Sequence, residues 1–183
     1  MYAGFTKQGG IDESAYVVGH WSEILATPCG GSDYHVGNCP DGTLEVSREY
    51  YTHEDTSLPR KVDIVVPIRT GMKFTGVVEE IHRRNISWLL GQSLAPTSSY
   101  IYVGAMGPAY FFTLRGRRHR PADNIALEFC MWKCMVSSLF SLGSGDEAQG
   151  SPLEVTALDD TDGDCGGSAT GPLGYLWAPA PGT

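Results

Sequence analysis

The sequence predicts a mostly β domain, a β-sandwich or β-barrel with one short α-helix. Glycine and proline are frequent, with 23 and 11 copies in 183 residues, which favours many turns and short strands. Apolar and polar residues alternate with a period of two in several segments, as they do in half-buried strands. With 42% hydrophobic and 19% charged residues, the chain is predicted to be globular and to form one domain over residues 1–183.

The first two clear strands lie at residues 43–51 and 61–68. Every second residue of each segment is apolar, so each strand presents one apolar face. Pro67 cannot donate a hydrogen bond to a sheet ladder, which predicts an edge position or a strand end. The segment between the two strands is polar and shows no apolar periodicity.

A third strand at residues 72–80 leads into the helix, which the spacing predicts at about residues 81–90. Ile86, Leu89 and Leu90 fall on one helical face, and Gly91 stands where a helix C-cap belongs. Such a short helix depends on packing for its stability. We therefore expect Ile86, Leu89 and Leu90 to anchor it on the strands.

The second half of the chain predicts further strands. Residues 100–106 and 109–116 alternate on either side of a Gly-Pro turn, and residues 115–120 form a basic turn. The segment at residues 124–143 fits a helix and a strand equally well. Residues 152–158 alternate again, and the Pro- and Gly-rich tail at about residues 161–183 is predicted to lie on the surface.

The net charge of −8 disfavours any function that requires a grip on nucleic-acid phosphates. The sequence shows no apolar run as long as a membrane span and no signal-peptide pattern. From these features we expect a soluble protein that is made in the cytoplasm and has no membrane partner.

The cysteines and the acidic turn give only weak metal signals. Five cysteines are an odd number, which without a secretion signal predicts free thiols. Cys29 and Cys39 are ten positions apart, wider than the usual zinc spacing, and His35 adds little. The aspartate-rich turn at residues 159–164 has Gly171 where a calcium loop starting at Asp160 needs glutamate.

No catalytic motif is present. The chain lacks the GxSxG, HExxH and P-loop patterns, and its five histidines are scattered. We therefore expect neither enzymatic activity nor a cofactor. The basic stretch at residues 115–120 is either a nucleic-acid patch or a complement to acidic loops of another copy, and the acidity of the chain favours the second interpretation.

Five segments, in their order along the chain, resemble the major tail tube protein of long-tailed bacteriophages. They are residues 35–57 (HVGNCPDGTLEVSREYYTHEDTS), 61–68 (KVDIVVPI), 72–91 (MKFTGVVEEIHRRNISWLLG), 125–138 (IALEFCMWKCMVSS) and 143–160 (GSGDEAQGSPLEVTALDD). The resemblance covers about residues 36–160. The cysteine-bearing loop at residues 29–39 and the tail after residue 160 depart from the family pattern.

The resemblance implies a β-sandwich of two packed antiparallel sheets with a flanking helix, and a strand at residues 125–138. It also implies a structural subunit of the virion tail, whose copies form hexameric rings that stack into a tube conducting viral DNA as passing cargo. Tape-measure, tail terminator and tail-tip proteins would be its further partners. A monomeric β-sandwich binding module is the main alternative, and a metal-dependent hydrolase a remote one.

Two groups of residues acquire roles from this interpretation. The polar segment at about residues 50–60 becomes an arm toward another subunit, carrying Tyr50, Tyr51, His53, Glu54, Asp55 and Arg60. An acidic channel wall would repel DNA phosphates, and acids at alternate strand positions are its candidates: Glu45, Glu49, Asp63 and Glu128. Arg117, Arg118 and Arg120 are expected away from the channel.

The absence of a metal or catalytic motif generates a direct test. Elemental analysis of the purified protein should find neither zinc nor calcium at one ion per chain. A stoichiometric ion that survives dialysis would contradict this expectation.

Overall fold

The computed structural model describes residues 21–54, 62–93, 96, 99–103, 109–119, 125–138, 140–141, 150–167 and 171–178. These residues form eight strands and one helix: β1 (Trp21–Pro28), β2 (Tyr34–Cys39), β3 (Thr43–Glu54), β4 (Val62–Val78), α1 (Arg83–Leu89), β5 (Phe112–His119), β6 (Ile125–Val136), β7 (Ser151–Ala157) and β8 (Gly174–Trp177). The predicted mostly β fold with one short helix is confirmed.

All eight strands belong to one antiparallel sheet in the order β2-β1-β5-β6-β7-β4-β3, with β8 added beside β6. β7 and β8 both pair with the same edge of β6, β7 near its C-terminal end and β8 further back. They therefore act as one strand that is interrupted between Ala157 and Gly174. The sheet curls, so its two halves face each other as in a sandwich or barrel.

Three aromatic rings fill the space inside the curl. Phe129 of β6 stacks on Phe74 of β4 at 5.2 Å and meets Trp21 of β1 edge-on at 4.7 Å. Gly116 lies beneath Phe129, whose ring occupies the place of any Cβ at that position. The Trp21 indole N–H donates to the carbonyl of Gly42 at 2.8 Å, so the one polar atom of this ring is satisfied.

The helix α1 begins at the predicted place and is fixed to β2 by a buried asparagine. His82 is the N-cap, and its Nδ1 accepts from the Asn85 backbone N–H at 3.4 Å. The Asn85 side-chain amide donates to the carbonyls of Val36 and Glu80 at 2.5 and 2.8 Å. These hydrogen bonds orient the helix independently of its apolar contacts.

The apolar residues that anchor α1 differ in part from those predicted from the sequence. Leu89 is buried, whereas Ile86 and Leu90 are only half-buried. Trp88, which the helical spacing did not single out, is fully buried and meets Phe112 edge-on at 5.2 Å. A tryptophan ring is long enough to reach the core from the side of a helix.

Three segments were predicted differently. Residues 99–103 are irregular rather than a strand, and residues 104–106 lie outside the described residues. Residues 115–119 lie in β5 and not in a basic turn, since each of them pairs with a residue of β6, and Arg120 lies outside the described residues. Residues 125–136, ambiguous by periodicity, form the strand β6 that the family resemblance implied.

The burial pattern of the helix predicts a ranking of stability. Leu89→Ala should lower the free energy of unfolding by about 2–5 kcal/mol, because it leaves a cavity in the core. Ile86→Ala removes a half-buried side chain, so it should lower the free energy of unfolding by clearly less. Chemical denaturation of the two variants measures the difference, and equal losses would show that Leu89 does not anchor the helix.

Candidate assembly interface

The strands β3 and β4 extend beyond the body of the domain as a two-stranded ribbon. β4 pairs with β7 only from Lys73 to Val78, whereas its pairing with β3 continues down to Val62. Within the described part of the chain, the remaining edge of β4 and the outer edge of β3 have no hydrogen-bonded neighbour. The ribbon therefore offers two unpaired backbone edges, which are templates for strand addition.

The ribbon exposes apolar side chains on both of its faces. Tyr50 lies opposite Pro67, and the next pair along the ladder, Tyr51 and Val66, points to the other face. The large apolar side chains on this ribbon that are roughly half exposed or more are Val46, Tyr50, Tyr51, Val65, Val66 and Ile68. An isolated ribbon of this kind is only marginally stable in water.

An apolar groove lies where the ribbon leaves the body. It has a volume of about 220 Å³ and separates the free edge of β4 from β8. Its walls are Val46, Thr70, Met72, Leu173, Gly174, Tyr175 and Leu176. Leu176 in this groove and Trp177, the next residue of β8, are about half exposed, at 55% and 47%. The apolar surface of the ribbon thus continues onto β8.

The structure describes some of the predicted arm residues and not others. Tyr50 and Tyr51 belong to β3, within the strand predicted at residues 43–51, and both are exposed. The backbones of His53 and Glu54 pair with those of Ile64 and Val62. Asp55 and Arg60 lie outside the described residues.

The candidate acids of a channel wall fall into two environments. Glu45 and Glu49 alternate on one face of β3, where they stand directly opposite Lys73 and Arg69 of β4. Lys73 also forms an ion pair of 2.9 Å with Glu154. This face of the sheet is therefore polar and mixed in charge. Asp63 lies in β4, and nothing further of its side chain is described.

Glu128 lies in a separate polar cluster on β6. One carboxylate oxygen accepts from the Tyr175 hydroxyl at 2.6 Å, and the other accepts from Nε of Arg117 at 2.6 Å. Arg117 also bonds Glu23 of β1 at 3.3 Å. The cluster therefore links β1, β5, β6 and β8 across the sheet.

The interactions within the cluster shift the pKa values of two of its side chains. Partial burial alone would raise the pKa of Glu128, but the hydrogen bonds from Tyr175 and Arg117 outweigh burial and lower it. Burial, together with the hydrogen bond to Glu128, raises the pKa of Tyr175 to about 12. Arg117 is engaged by two carboxylates, those of Glu128 and Glu23.

The cysteines do not all remain free thiols. Cys29 and Cys165 form a disulfide, so the prediction of free thiols is wrong for these two. The partners are 136 positions apart in sequence. Whether the number of cysteines is odd or even cannot reveal such a pairing. Cys39, Cys130 and Cys134 are free and buried.

Among the described residues, no group of three His, Cys, Asp or Glu side chains is arranged to hold a metal ion. In the aspartate-rich turn, Asp160 is buried, and its Oδ2 accepts from the backbone N–H groups of Cys165 and Gly167 at 3.0 and 2.8 Å. This carboxylate organises its own loop. Within the same residues, no helix has the length and apolar character needed to cross a bilayer.

Comparison with known proteins gives structural matches. No protein-family model matches the sequence, and neither does any curated protein. A chain in the cryo-EM structure of the anti-feeding prophage (AFP) baseplate, 6-fold symmetrised, matches with a TM-score of 0.57 at 6% identity, covering 88% of this chain and 95% of that chain. A chain in the cryo-EM structure of an extracellular contractile injection system, the PVC sheath-tube complex in its extended state, matches with a TM-score of 0.50 at 7% identity, covering 94% of this chain and all of that chain (100%). This chain therefore shares its fold with components of phage-tail-like injection machines.

The Glu128 cluster predicts a pH-dependent effect of removing one hydroxyl. Because the pKa of Glu128 is lowered in the folded state, its contribution to stability is present above its unfolded pKa and lost as the pH falls through the folded value. Tyr175→Phe removes a donor that lowers this pKa, so acid unfolding should begin at a higher pH. At neutral pH the variant should lose about 1 kcal/mol.

Tyr102→Phe is the control for this experiment, since Tyr102 is 69% exposed in a loop. Its acid-unfolding midpoint, followed by circular dichroism, should match that of the unaltered protein. Identical midpoints for Tyr175→Phe and the unaltered protein would contradict the proposed coupling.

Proposed function

We propose that this chain is a structural subunit of a phage-tail-like tube, in which copies associate side by side into hexameric rings and the rings stack. The observation that carries the proposal is the ribbon of β3 and β4, which has apolar side chains on both faces and two edges that no other described strand pairs. The shared fold with chains of the AFP baseplate and of the PVC sheath-tube complex supports it.

Strand pairing between copies would bury the apolar side chains of the ribbon and remove the free-energy cost of exposing them to water. Fully burying a valine or isoleucine side chain contributes about 1.5–3 kcal/mol, so the ribbon residues together can offset the entropy lost on association. The two edges of the ribbon are different strands, β3 and β4, so a copy added at one edge leaves the other edge free. Such head-to-tail contacts either close into a ring or continue as a filament.

The polar face of β3, β4 and β7 is the proposed channel wall. Glu45, Glu49 and Glu154 alternate there with Lys73 and Arg69, so carboxylates slightly outnumber cations. A wall of this kind offers no continuous basic track that would hold phosphates and slow a passing nucleic acid. Viral DNA as transient cargo, with tape-measure, terminator and tail-tip proteins as neighbours in the virion tail, completes the proposal.

One observation favours the second candidate, a binding module of a virion surface or tail tip. Tyr100 and Tyr102 lie in the loop between α1 and β5 and are 75% and 69% exposed. Exposed aromatic side chains in loops are a common means of ligand recognition. A monomer that binds a glycan array through these tyrosines would support this alternative.

A single charge on the ribbon tests the proposal. Ile68 is 64% exposed, so Ile68→Lys should leave the fold and the melting temperature of the isolated chain unchanged. In an assembled tube the ammonium would be buried without a partner, and association should fail. Negative-stain microscopy and light scattering at equal concentrations measure rings and tubes directly.

Ser32→Lys is the matched control, because it adds the same charge at an exposed site in the turn between β1 and β2. It should assemble like the unaltered protein. Tubes of normal length from Ile68→Lys would show that the ribbon is not the assembly surface.

A further inference from the structure

The loop at residues 158–167 crosses the sheet like a strap. It leaves the end of β7, where the Leu158 N–H donates to the Lys133 carbonyl of β6 at 2.8 Å. Further along, the Thr113 hydroxyl of β5 donates to the Cys165 carbonyl at 2.9 Å. The strap then reaches the turn after β1, where Cys165 is bonded to Cys29. It therefore spans from β7 across β6 and β5 to β1.

Weaker contacts position the strap independently of the disulfide. Asp160 accepts the N–H groups of Cys165 and Gly167, and Lys133 of β6 pairs with Asp164 at 3.1 Å. The Asp164 side chain is 65% exposed, so this ion pair contributes little. The hydrogen bonds of Leu158 and Thr113 that join the strap to the sheet do not involve a cysteine sulfur, so the strap can lie in place with Cys165 still reduced.

The five cysteines differ in their access to an oxidant. Cys29 and Cys165 are half-buried at the surface, whereas Cys39, Cys130 and Cys134 are fully buried. Burial raises the pKa of Cys39 to about 12 and of Cys130 to about 11, the latter against the opposing charge of Arg115. Only thiolates react in disulfide exchange, so the buried thiols are inert and mispairing is suppressed.

We propose that the strap is a redox clasp: Cys29 and Cys165 are thiols while the chain is in the reducing cytoplasm and form their disulfide once the chain is outside the cell. This timing rests on the proposed function, which takes the subunit from the cytoplasm into an extracellular particle. Glutathione and thioredoxin keep cytosolic thiols reduced, whereas an oxidising exterior preserves disulfides.

The chemistry is exchange with a low-molecular-weight disulfide. One protein thiolate attacks a sulfur of that molecule, which forms a mixed disulfide and releases one small thiol. The second protein thiolate then displaces the other small thiol and closes the Cys29–Cys165 bond. The two protein thiols lose two electrons and two protons, and the small disulfide gains them.

Closure would lock the finished subunit against unfolding. The bond joins positions 136 residues apart, so it restricts most of the unfolded chain. It also fixes the two hairpin strands β1 and β2 to the segment that leads into β8. A clasp that closes late leaves the strap adjustable during folding and assembly and rigid in the released particle.

The test uses the intact chain made in a cytoplasm that keeps thiols reduced. Cells are lysed in denaturant with an alkylating agent, and mass spectrometry should then count five alkylated cysteines. After the native protein is exposed to oxidised glutathione, the same assay should count three. The oxidised protein should melt about 5–15 °C higher than the reduced protein.

A Cys29→Ser/Cys165→Ser variant is the control, and its melting temperature should not respond to reductant. Two protected cysteines at the moment of lysis would overturn the proposed timing. Five thiols after oxidation, or equal melting temperatures of the oxidised and reduced protein, would overturn the clasp itself. These measurements do not require assembled tubes, so they can contradict the clasp without contradicting the assembly proposal, and the reverse.

Discussion

The contact of Phe129 with Phe74 and Trp21 is the interaction on which the rest of the structure depends. The three rings come from β6, β4 and β1, which are not neighbours in the sheet, so their packing requires the sheet to curl. Gly116 leaves the space that the Phe129 ring fills, and any side chain there would push the halves apart. Buried aromatic rings of this size dominate core energetics.

The ribbon begins directly beside this contact. Phe74 is paired with Val155 of β7, and one residue further toward the N-terminus of β4 the pairing with β7 ends. From there β4 follows β3 away from the curled body and diverges from β8. The apolar groove beside Met72 and Leu176 is the space left by this divergence. The core and the candidate interface therefore meet along β4, at Met72 and Phe74.

Much of this architecture could be predicted from alternation alone, and the failures have identifiable physical causes. β7 and the C-terminal half of β4 have one face toward the core, so a period of two is visible in their sequences. β3 shows the same alternation although Leu44 alone of its described side chains is partly buried. β8 is only four residues long and lies between glycine- and proline-rich segments, so no periodicity could reveal it. The disulfide and the Glu128 cluster join residues distant in sequence, and their pairings depend on the register of the folded strands.

The ribbon shows how a sequence can describe an assembly better than an isolated chain. Residues 64–68 read IVVPI, a continuous apolar run, and such runs are typical of strands that are covered on both faces. In the single chain, Val65, Val66 and Ile68 are instead exposed to water at 56%, 46% and 64%. Local propensity and tertiary environment normally agree in a protein that folds well. Here they conflict in one place, the ribbon, and a second copy packed against it would resolve the conflict.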